Sequence, residues 1–277
     1  MTPNNIVNMA KIKGLDAIAV TDHNSVKNAK AVMEAGSLIG LTVIPGMEIE
    51  TSEEIHVVAL FPHIDSAVYA GDEVAKHLPP AKNRPDIFGE QLIMDKEDNV
   101  VGCEEQMLIT ATDLDIFEVF KLVKSAGGVA YPAHVDRHSY SVLSNLGFIP
   151  PELDTKFIEI SKNVTDVNQY VSNKNLEKYN LIFSSDAHYL WDISEKIHGF
   201  DVEQPSVEKI IDFFKLIISK TECTFARVHS LFHHMTNIFQ IYHCVNFIYI
   251  FFIFTVKMVC IFSIIFYEIK GFVRFSI

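Results

Sequence analysis

From Ala17 to Phe183 the chain repeats one motif, a short apolar run rich in β-branched residues followed by a longer segment of helical period. The runs are Ala17–Thr21, Thr42–Ile44, Ile55–Phe61, Val129–Tyr131, Phe157–Ile160 and Leu181–Phe183. Strands that are apolar on both faces need cover on both sides, and intervening helices supply it, so the pattern predicts a parallel sheet wrapped by helices. With this many units a βα barrel is favoured over an open sheet. Such a series is expected to open with a strand. This one opens on a helix signal, Thr2 as N-cap and Pro3 at the first helical position, with Gly14 as its stop.

Further helices are expected from about Val26 to Ile39, from Ser66 to His77, from Asp115 (as cap) to Ser125, and from Ser206 to Lys220. Gly127-Gly128 ends the helix that Asp115 starts. The stretch 80–115 departs from the repeat. Gln91–Met94 and Val100-Val101 flank a polar turn and read as a hairpin inserted on the scaffold.

The chemistry lies just past the strands. Asp22 and His23 come after the first, Glu48 after the second through Pro45-Gly46-Met47, His134 after Pro132-Ala133, and Asp186 and His188 after Ser184-Ser185. In parallel αβ folds the C-terminal strand ends converge on one face, where sites are built. His23, Glu48, His134, Asp186 and His188 are therefore expected to meet. Imidazole nitrogen with carboxylate oxygen suits zinc, manganese or iron. Any one of these residues alone is more often a cap or a turn residue, and Asp22 is a candidate cap for the helix near Val26. Five falling together at strand ends is a pattern. His56 sits at the other end of its strand on this reading. His63, His77, His138 and His198 lie in loops or helices, and His229, His233 and His234 lack the Glu of a zincin helix.

Together these pieces resemble the PHP (polymerase and histidinol phosphatase) family. The matching elements are Gly14-Leu-Asp-Ala-Ile-Ala-Val-Thr-Asp-His23, Ile44-Pro-Gly-Met-Glu48, His56 with Phe61, Pro132-Ala-His134 and Ser185-Asp-Ala-His188, in the family's order. The resemblance implies a distorted (β/α)7 TIM-like barrel that binds up to three divalent ions (Mn, Zn or Fe) and hydrolyses phosphate esters with metal-activated water. It also implies that His56 is a ligand. The family opens with a strand carrying His-x-His, which these residues do not show, so the barrel is read as missing its first strand. Position by position, one metal site keeps Glu48, His56 and His134; a second keeps Glu48 and Asp186; a third keeps His23 and His188. Glu48, Asp186 and His188 are the expected catalytic group, and Arg137 is a candidate contact for substrate phosphate. The broken sites are expected to impair activity. The competing readings are a metal-binding remnant without turnover and an amidohydrolase-like C–N hydrolase.

Charge narrows the substrate. The formal balance is −12, and only four of the 23 Lys and Arg and two of the 35 Asp and Glu lie beyond residue 220. An acidic domain of this kind repels polyanions in general, which favours a small phosphorylated substrate over non-specific nucleic-acid binding. Four cysteines without CxxC spacing point to neither a zinc ribbon nor a disulfide framework, and a reduced cytoplasmic setting is expected. Residues 1–220 are assigned to the phosphoesterase-type domain. Residues 221–277 form a hydrophobic tail with eleven of the 21 Phe residues. Its segment 238–267 is apolar enough to read as a membrane contact, and the abrupt change of composition equally suits a non-native extension.

Overall fold

In a computed structural model, residues 1–200, 202 and 205–219 are described. The elements run α1 (Pro3–Ile12), β1 (Ala17–Val20), α2 (Ala29–Leu38), β2 (Thr42–Glu50), β3 (His56–Leu60), α3 (Ile64–Lys76), α4 (Pro85–Phe88), β4 (Leu92–Met94) and β5 (Val100–Cys103). They continue with α5 (Ile116–Ser125), β6 (Val129–Pro132), α6 (Val142–Asn145), β7 (Phe157–Ser161), α7 (Val167–Lys174) and β8 (Asn180–Ser184). A 3-10 turn at Leu190–Asp192 and a last helix, α8 (207–219), complete the series.

The sheet departs from the all-parallel expectation at one strand. Its order is β1-β2-β3-β6, with β1 parallel to β2 but β3 antiparallel to both β2 and β6. The cause lies in residues 51–55. Thr51 N–H donates to Ile55 O at 2.9 Å and Ile55 N–H to the Thr51 hydroxyl at 3.3 Å, which closes a tight turn. So short a connection can only reverse the chain, because a parallel neighbour needs a crossover of a dozen residues or more. β2 also runs on through Pro45-Gly46 to Glu50, past Ile44 where the apolar run ends in the sequence. Pro45 still pairs with Val20 of β1, and Gly46 begins the pairing with β3. A Cβ on Gly46 would come within 2.6 Å of Ala59 O, so only glycine lets β3 approach here.

Beside β6 lies the parallel pair β7–β8, joined through Val135 N–H to Glu159 O at 2.9 Å. No sheet among the described residues closes on itself. The expected barrel is an open, mixed α/β arrangement whose outer strands, β1 and β8, line one cavity of about 320 Å³.

On β2, β3 and β7 one face carries both apolar and ionisable residues, because residues two apart share a face. On β7 the order is Phe157, Glu159, Ser161, and on β2 it is Ile44, then Glu48 and Glu50. On β3 the order runs backwards in sequence, Leu60, Val58, His56, because that strand runs backwards in space. At the apolar end Ile44, Val58, Leu60, Val129, Tyr131, Phe157 and Ile182 are buried against Ile210, Ile211 and Phe214 of α8. α3 and α5 cover the opposite strand face through Ala67, Ala70, Val74, Ile116, Val119 and Val123.

The helix ends correct two cap expectations and support a third. Asp115 caps α5 through a reciprocal box with Glu118. Thr2 precedes α1 but makes no local cap; its hydroxyl donates to Asp98 at 2.8 Å, and the same carboxylate accepts Asn4 N–H at 2.9 Å. The turn of the β4–β5 hairpin thus caps α1 from outside, which ties the insertion to the domain. Asp22 does not cap α2, whose N-cap position is Asn28. The membrane contact expected at 238–267 lies outside the described residues. Among those residues no helix is long and apolar enough to cross a membrane.

Candidate metal centre

Glu48 is the hub. Burial alone would raise its carboxyl, but hydrogen bonds from His134 and His56 outweigh that and hold it far below the usual carboxylate range. Its Oε2 lies 3.2 Å from His23 Nδ1 and 3.3 Å from His56 Nδ1, and its Oε1 lies 3.4 Å from His134 Nε2. Each imidazole arrives from a different element. His23 comes just after β1, where Glu48 N–H to Asp22 O (3.0 Å) and Asn24 N–H to Glu48 O (2.8 Å) continue the parallel pairing. His56 opens β3 directly opposite Glu50. His134 comes just after β6 on a backbone turn with φ +24°.

The reversal of β3 resolves the odd position of His56. Its strand's first residue lies beside its neighbours' last ones, so the wrong end in sequence is the right end in space. Two further contacts fix the ring: Tyr140 stacks on it at 4.8 Å, and Glu50 Oε2 lies 3.9 Å from Nε2. A carboxylate behind the second nitrogen is the usual way to set which imidazole nitrogen faces a cation.

These donors fit a divalent cation. His56 Nδ1 and His134 Nε2 face each other at 3.2 Å, where only one can donate a proton, and a shared cation would satisfy both. The donor atoms of His23, Glu48 and His56 all fall within 4.8 Å of one another. Burial lowers the His23 pKa against the pull of Glu48, whereas at His134 the Glu48 carboxylate overcomes burial and raises it.

Asp186 and His188 line the same cavity without joining that knot. Asp186 has φ +42° and its carboxylate is ion-paired with Arg137. His188 Nδ1 lies 3.1 Å from Asp186 O, and its ring centroid stands 6.1 Å from that of His23. The structure thus gathers His23, Glu48, His56 and His134 closely, sets Asp186 and His188 in the lining of the same cavity, and rests Arg137 on Asp186. Of the remaining histidines, His77 bonds Asp113 at 2.6 Å and His198 stacks on Phe183.

Glu159 escapes the strand-end rule because it lies within β7. It is buried, lines the cavity, and accepts the backbone N–H of His134 at 3.3 Å. Burial, reinforced by Glu48 and Asp186, pushes its carboxyl up to about 7 although His134 opposes the rise. Its signal in the sequence is a charged residue in an otherwise apolar strand, Phe157-Ile-Glu-Ile160.

The imidazole–carboxylate cluster thus sits at one end of an α/β sheet, on β2, at the start of β3 and just past β1 and β6. Residues 1–130 match the model of the PHP domain. An uncharacterized protein of Methanocaldococcus jannaschii is 36% identical over 59 residues, which are 21% of this chain and 34% of that one. The crystal structure of a lesion-specific endonuclease from Pyrococcus furiosus superposes with a TM-score of 0.52 at 17% identity, over 78% of this chain and 51% of that one. Endonuclease Q in complex with a 27-mer duplex bearing an abasic lesion gives a TM-score of 0.52 at 17% identity, over 78% and 52%. The chain therefore spans about a third of the archaeal relative and about half of either endonuclease. At this identity the structural likeness establishes the fold.

Proposed function

We propose that this chain hydrolyses a phosphate ester of a small molecule. The observation that carries the reading is the single carboxylate of Glu48 shared among three imidazoles from three strand ends. Glu48, His56 and His134 would hold one divalent ion, with His23, Asp186 and His188 available to others. Such ions activate water and draw charge from the phosphoryl oxygens. The chain's own groups do the rest. Glu48 presents two oxygens in different directions and can bridge two ions. Glu159 holds the His134 backbone, and Glu50 with Tyr140 holds the His56 ring. A water oxygen would bond to phosphorus as the ester P–O bond breaks, and the alcohol would leave with a proton taken from solvent. Arg137 would move from the Asp186 carboxylate to a phosphoryl oxygen, matching its fork to two acceptors.

The formal balance of −12 favours a small ester over a long duplex. The duplex bound by Endonuclease Q is a property of that protein. Metal analysis with turnover decides the reading. Two or three manganese ions per chain, with phosphatase activity that Glu48→Gln removes, are the expected result. One tightly held ion and no turnover would leave a metal-binding remnant instead.

A further inference from the structure

Tyr189 and Trp191 follow His188, which lines the cavity, and flank the start of the 3-10 turn. Their rings are parallel within 2°, with centroids 5.0 Å apart, and they are 58% and 73% exposed. Leu190 between them turns inward against the cluster formed by α1, α2 and β1. The turn therefore spends its one apolar anchor on the core and leaves the two largest rings in water. Transfer of aromatic surface to water is unfavourable, so two stacked rings held outward have no packing reason to be there.

Position supplies a reason. Consecutive Cα atoms are about 3.8 Å apart, so the Tyr189 backbone is within one residue of His188. Lys162, the first residue beyond β7, donates from Nζ to Asp192 O at 3.2 Å. A side chain from just beyond β7 thus reaches the turn that follows β8, and Glu159 of β7 and Asp186 after β8 line the same cavity. The two rings cover each other's inner faces at 5.0 Å, which leaves an outer π-face for a ligand and no slot between them.

We infer that the Tyr189–Trp191 pair is a specificity platform: it stacks a flat aromatic ring carried by the leaving group of the phosphate ester, with the phosphate on the metal cluster. This rests on the phosphoesterase reading. The ring chemistry is shared by a nucleoside and by a phenolic alcohol. The acidic surface favours a single nucleotide or aryl phosphate over a strand of nucleic acid.

Trp191 is the chain's single tryptophan, so its fluorescence reports the platform without requiring turnover. In the full chain, adenosine (no phosphate) is expected to quench that emission saturably, and Tyr189→Ala, which keeps the reporter, is expected to weaken binding about tenfold, the scale of one aromatic stack. With manganese supplied, kcat/KM is then compared for AMP, phenyl phosphate and glycerol phosphate. Trp191→Ala is expected to lower the aromatic-to-glycerol ratio by about tenfold, and Trp191→Phe to restore most of it. A loss for AMP alone assigns a nucleoside, and a loss for both aromatic esters assigns any flat ring. No quenching together with an unchanged ratio overturns the platform. Absence of turnover with quenching intact instead counts against the phosphoesterase reading and leaves the platform standing.

Discussion

On the β2–β3–β6 side of the site, Glu48, His56 and His134 are buried and in mutual contact, whereas on the β1–β8 side the His188 side chain is 59% exposed and Asp186 is held by Arg137. Glu48 and His56 stand on strands paired on both sides, and His134 follows β6, which pairs with β3. The second stands at two outer strands that face each other across a cavity. Ladder-held ligands are preorganised without help. Edge-held ligands take their separation from whatever lies between them. The described residues therefore divide into a buried, mutually contacting group and a more exposed group that precedes the aromatic pair in sequence.

Altering the hub should erase this contrast most completely. Glu48→Gln keeps the shape but removes the charge shared by three imidazoles, and manganese affinity in a calorimetric titration is expected to fall about 100-fold or more, at or beyond the upper end of what losing a ligand's supporting partner costs. Next, the two groups should respond unequally to loss of a histidine. His134→Ala leaves the Glu48 carboxylate buried with a partner missing and is expected to destabilise the metal-free protein by on the order of 3 kcal/mol in a urea melt. His188→Ala, on the exposed side, is expected to stay within about 0.5 kcal/mol. Equal losses would mean that the two groups are one unit.

Glu159 offers a pH test on the buried side. The folded protein keeps its proton up to about 7, while the unfolded chain releases it near the ordinary 4.5. Between those values the folded state binds more protons, so the stability contributed is fully present below about 4.5 and is lost as pH rises through about 7. Glu159→Gln is expected to flatten that decline by on the order of 2–3 kcal/mol in melts of the metal-free protein from pH 4.5 to 8. The smallest effect is expected at Arg137. Arg137→Ala should leave the melting temperature nearly unchanged, because the pair is partly solvated. It should raise KM for a phosphate ester several-fold if the guanidinium moves to substrate.

Much of the buried group is legible in the order of residues alone. The strand runs, the Asp115 cap and the donors just past the strands come from periodicity and local hydrogen-bonding chemistry. The misreading of β2 has a local cause too: Pro45-Gly46 is turn chemistry, and only the close passage of Ala59 O shows why glycine is needed in a strand. Glu159 and Glu50 escape a search confined to residues just past the strands, because these carboxylates lie within β7 and at the last position of β2.

By itself, the sequence determined the alternation of elements and the identity of the donors just past the strands. Both are properties of neighbours a few residues apart. Only the tertiary structure decided that β3 runs backwards and so delivers His56 to the cluster. The same holds for the β1 and β8 edges facing one cavity rather than closing, and for Arg137 resting on Asp186. Those facts depend on groups far apart in the chain, whose relative placement is set by sheet pairing and packing rather than by local preference.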